Sequence, residues 1–110
     1  REWSKHPDAM RDLIRRFPGR ILFGSDIVAD ESTMSFDLFA SRYWALRTMM
    51  ETDYDGPSPI VDPDLHRVDP SRDPKSTAHL RGLKLSPAML RMLYLEAPRR
   101  FFESLGNSAQ

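Results

Sequence analysis

The chain has 110 residues, 40% hydrophobic and 29% charged, a balance that fits a folded domain with one core and excludes a disordered segment. Sixteen Lys and Arg oppose 16 Asp and Glu, so the formal net charge is +0, without the basic excess that a nucleic-acid binder carries. There is no cysteine, which excludes disulfides and thiolate metal sites and fits a reducing compartment such as the cytoplasm.

No apolar run approaches the roughly 20 residues that span a bilayer. The opening residues Arg1-Glu2-Trp3-Ser4-Lys5 lack the apolar stretch of a signal peptide. They also lack an initiator Met, so the coding sequence is expected to begin upstream, although processing or cloning would look the same.

In chain order, Met10, Leu13, Ile14 and Phe17 recur at i, i+3, i+4 and i+7, one apolar stripe of a helix over 7–17. Pro7 suits its first position, Asp8 its positive end, and Arg15 and Arg16 its negative end. Pro18-Gly19 stops it. Ile21, Leu22 and Phe23 follow as a continuous apolar run, which reads as a strand at 20–25 buried on both faces of a parallel sheet.

A second helix is expected over 35–52, with Ser35 as N-cap. Phe36, Phe39, Ala40, Tyr43, Trp44 and Met50 form its inward side, with Leu46 on the edge; Trp3, Tyr43 and Trp44 read as core rather than as a ligand-stacking surface. Residues 53–75 gather five prolines and six aspartates and read as an extended loop with turns. Closing helices are expected over 87–105. Ser86-Pro87 starts the first, Met89, Leu90 and Leu93 form its apolar face, and Pro98 starts another with Phe101, Phe102 and Leu105 inside.

One buried strand cannot satisfy its own backbone N–H and C=O groups. The stretch at 80–85 is too short and mixed to serve as its partner, so the chain is expected to be incomplete, with its neighbouring strands supplied from elsewhere. The competing reading is a small helical module that uses 20–25 as a buried linker.

Asp26 follows this strand, after the small pair Gly24-Ser25. Strand C-termini form the active-site face of α/β barrels. A carboxylate there can ligate a metal or act as a general base. It can equally cap the local turn, as Asp commonly does.

The stretch Phe17-Pro18-Gly19-Arg20-Ile21-Leu22-Phe23-Gly24-Ser25-Asp26 resembles the last barrel strand of the amidohydrolase superfamily, in its amidohydrolase-related branch. The tail from Leu85 to Phe102 resembles that family's closing helices, with Ala97-Pro98 standing where the family has Asn-Ala. The resemblance implies that residues 1–110 are the C-terminal segment of a (β/α)8 barrel, an α/β fold. It implies a divalent metal, commonly zinc, a small-molecule substrate, and Asp26 as metal ligand and proton shuttle. The N-terminal barrel strands, with the family's His-x-His, would lie before Arg1. A catalytic zinc takes three protein ligands, so such a fragment is expected to be inactive alone.

The implied chemistry is hydrolysis of a C–N or C–O bond, and nonoxidative decarboxylation within the same family uses a similar metal site. His6, His66 and His79 show no His-x-His or His-Glu-x-x-His spacing and read as solvated residues, although His66 with Asp64 and Asp69 could reach over a site as a lid.

Overall fold

The computed structural model describes residues 2–25, 27, 35–61, 63–73 and 75–107. In chain order they form α1 (Glu2–Lys5), α2 (Pro7–Arg16), α3 (Phe36–Glu51), β1 (Asp55–Val61), α4 (Pro63–Val68), β2 (Thr77–Arg81), α5 (Pro87–Arg91), a π-helical turn (Met92–Glu96) and α6 (Ala97–Asn107). The result is an α/β mixture, mostly helical, with a small two-stranded antiparallel sheet.

The helix starts follow from residue chemistry. Pro7 opens α2, and Phe17 caps it by donating its N–H to the Leu13 carbonyl at 3.1 Å. Ser35 caps α3 by accepting from the Leu38 N–H at 3.1 Å, and Ser86 caps α5 by accepting from Met89 at 3.3 Å.

The far end of α3 is closed by another part of the chain. A helix leaves its last carbonyls without internal donors. Here Leu83 N–H reaches the Met49 carbonyl at 2.6 Å, Leu85 reaches Met50 at 2.9 Å, and Lys84 reaches Thr52 at 2.9 Å. Arg11 binds the Leu83 carbonyl from the other side at 2.8 Å. The same segment drives Leu83 and Leu85 into the core beside Ile14, Ala45, Met49, Met50, Leu80 and Leu93.

Two residues make this close approach possible. Lys84 takes a left-handed conformation, φ +47°, which points Leu83 and Leu85 inward while its own ammonium pairs with Asp53 at 2.7 Å. Gly82 runs so near α3 that a Cβ would collide with the carbonyl of Thr52.

Several expectations are corrected. Residues 21–25 form no strand: Ile21 and Phe23 pack against the core, but Leu22 is 40% exposed and Gly24 is exposed. Among the described residues β1 and β2 pair with each other and 82–85 binds the end of α3, so none of them pairs with 21–25.

Residues 53–75 are not one loop, because they hold β1 and α4. Pro57 and Pro59 are tolerated in β1 because a two-stranded sheet consists of edges. The register runs Asp55 to Arg81 and Pro57 to His79, then shifts so that Val61 meets Thr77. Four steps along β1 therefore match two along β2, a bulge in which Ser58 Oγ accepts from the Ile60 N–H at 3.2 Å.

The inward face of α3 is also rotated from expectation. Ala45, Met49 and Met50 are buried, whereas Phe36 is 84%, Tyr43 49% and Trp44 43% exposed. This helix is apolar nearly all round, so periodicity does not choose a face. Unbranched methionines fit the irregular space beside Leu83 better than rigid rings do.

At the C-terminus α6 begins at Ala97, so Pro98 stands within a residue of the helix start expected of it. It sits inside a helical run from Pro87 to Asn107, directly after the π turn, where Ala97 N–H donates to the Met92 carbonyl five residues back. Proline lacks an N–H and crowds the carbonyl four residues before it, and the widened turn relieves that conflict. Phe101, Phe102 and Leu105, expected inside, are exposed, because α6 runs past the end of the core.

Gly82→Ala is expected to lower unfolding stability by about 1–3 kcal/mol, the typical cost of a forced clash in a packed site. Urea denaturation checks it, and an unchanged midpoint would contradict the close approach.

Candidate functional site

The resemblance directs attention to the segment that ends at Asp26. Asp26 itself lies outside the described residues, so its expected role is carried by sequence alone. Its neighbourhood is defined up to Ser25.

Phe23 turns into the molecule and meets the Tyr94 ring edge-on, with centroids 5.0 Å apart and planes at 84°. Beside it opens a cavity of about 660 Å³ lined by Trp3, Leu22, Phe23, Leu46, Met49 and Leu93 among others. Trp3 therefore lines a cavity at the core's edge. On the outer side of α3, Trp44 instead stacks edge-on with Tyr54 at 5.4 Å.

A polar group joins α3 to the π turn. Arg47 grips Glu51 through two hydrogen bonds of 2.8 and 3.0 Å, and the Tyr94 hydroxyl donates to the same carboxylate at 3.3 Å. Glu51 occupies the last residue of α3, where the helix dipole is unfavourable for an anion, so these donors have a clear task. They succeed: the Arg47 hydrogen bond, reinforced by its charge and by Tyr94, holds the Glu51 carboxyl below its ordinary value against the opposing effect of burial. Burial first, then the neighbouring Glu51 charge, pushes the Tyr94 hydroxyl up to about 12. Tyr94 is thus a neutral donor across the physiological range.

The histidines and loop acids are engaged locally. His6 is the N-cap residue of α2, exposed and without a side-chain capping bond. The His66 ring is hydrogen-bonded to the Arg72 carbonyl at 2.7 Å, and Asp69 accepts from the Ser71 hydroxyl at 2.6 Å. Asp73 accepts from the Lys75 N–H at 2.7 Å. These are turn-forming bonds of the kind that short polar side chains make with nearby backbone. His79 pairs with Asp55 across the hairpin.

Among the described residues no three His, Asp or Glu side chains gather where they could hold a metal ion. The described residues by themselves therefore make no three-ligand metal site, and Asp26 lies outside them. No described helix is long and apolar enough to cross a membrane.

The Arg47–Glu51–Tyr94 group was missing from the sequence reading. The i, i+4 spacing of Arg47 and Glu51 is visible in sequence. The link to Tyr94, 43 residues further on, is not.

No family model matches the chain, and neither a curated protein nor a solved structure matches it.

A pH consequence follows from Glu51. Its folded pKa lies below the ordinary 4.5, so its contribution to stability is present above that value and is lost as the pH falls through the folded pKa. Acid unfolding of Glu51→Gln should accordingly show a weaker loss of stability below about pH 4.5 than the parent chain. Parallel acid curves for the two proteins would show that Glu51 titrates alike in the folded and unfolded states.

Proposed function

We propose that this chain is the C-terminal segment of an amidohydrolase-type (β/α)8 barrel: part of a cytoplasmic, metal-dependent hydrolase of C–N or C–O bonds in a small molecule, inactive on its own. Asp26 is the one site residue that the chain brings. A divalent metal, commonly zinc in such enzymes, would draw its other donors from the remaining strands, because a catalytic zinc takes three protein ligands.

One observation carries the reading. The segment 21–25 forms neither helix nor strand among the described residues, yet it is anchored on one side through Ile21 and Phe23. A run that packs on one side and leaves Leu22 exposed on the other fits a barrel strand that draws its neighbours from elsewhere, since its peptide groups need partners. Its order in the chain supports the same reading, with the Pro18-Gly19 turn before it and the closing helices after it.

A second reading is favoured by a different observation. Phe36, Ala40, Tyr43 and Trp44 form an exposed stripe along α3, as an interaction module would present. A decarboxylase of the same superfamily would share the Asp26 site and is separated from a hydrolase by product analysis.

The coding region upstream of Arg1 provides the direct test. An in-frame extension with a strand ending in His-x-His is expected. A start codon immediately before Arg1 would overturn the barrel reading and leave the interaction module. In the complete enzyme, Asp26→Asn should lower kcat/KM by about 10²–10⁴-fold, the scale of one acid–base group. Undiminished turnover would remove Asp26 from the site.

A further inference from the structure

We draw no further inference here: the strongest candidate, the exposed apolar row of Phe101, Phe102 and Leu105 along α6, is an unpartnered helix face, and nothing in the structure shows what covers it.

Discussion

The structure depends on the capping of α3 by residues 82–85. A sixteen-residue helix ends with open carbonyls, and this one ends beside the core, where water cannot easily serve them. Three N–H groups from a segment thirty residues away close that end. Because they come from consecutive residues around a left-handed Lys84, the same contact inserts Leu83 and Leu85 into the apolar centre. Arg11 then ties α2 to the Leu83 carbonyl. One backbone contact thus organises the first helices, the hairpin and the closing helices around a shared core.

The parts legible in sequence were those set by local chemistry. Pro7, Ser35 and Ser86 announced three helix starts, each within about a residue, because capping is a property of neighbouring atoms. The inward face of α3 was not legible. Met50 is buried as its place in the pattern implies, whereas Phe36, Tyr43 and Trp44 stay exposed, and only the partner segment decides which part of the broad apolar side is covered. The hairpin was hidden for a related reason. Prolines at 57 and 59 argue against a strand in general, yet are harmless on an edge, and an edge is a fact of topology. Asp26 is marked in the sequence by its order after an apolar run and lies outside the described residues, whereas Tyr94 and Glu51 meet only in three dimensions.

The outer surface carries a consistent message. The stripe on α3, the exposed Leu22, and Phe101, Phe102 and Leu105 on α6 are apolar groups left at the rim of a small core. The structure measures 53 × 36 × 23 Å, an elongated shape with much surface for its volume. Isolated large residues on a surface are ordinary, whereas these stand in rows along α3 and α6. The core is held by backbone capping and methionine packing, and the aromatic residues are largely spent outside it.

The proline-bearing strand has one more consequence. Any two-stranded sheet offers two free edges, each a template on which a foreign strand can add. Pro57 and Pro59 are exposed on β1, and each removes a donor that such a newcomer would need. The bulge between Pro57 and Val61 bends the same strand out of register. Residues that looked like loop formers thereby protect the hairpin from edge-to-edge aggregation, and replacing them with better strand formers would exchange solubility for regularity.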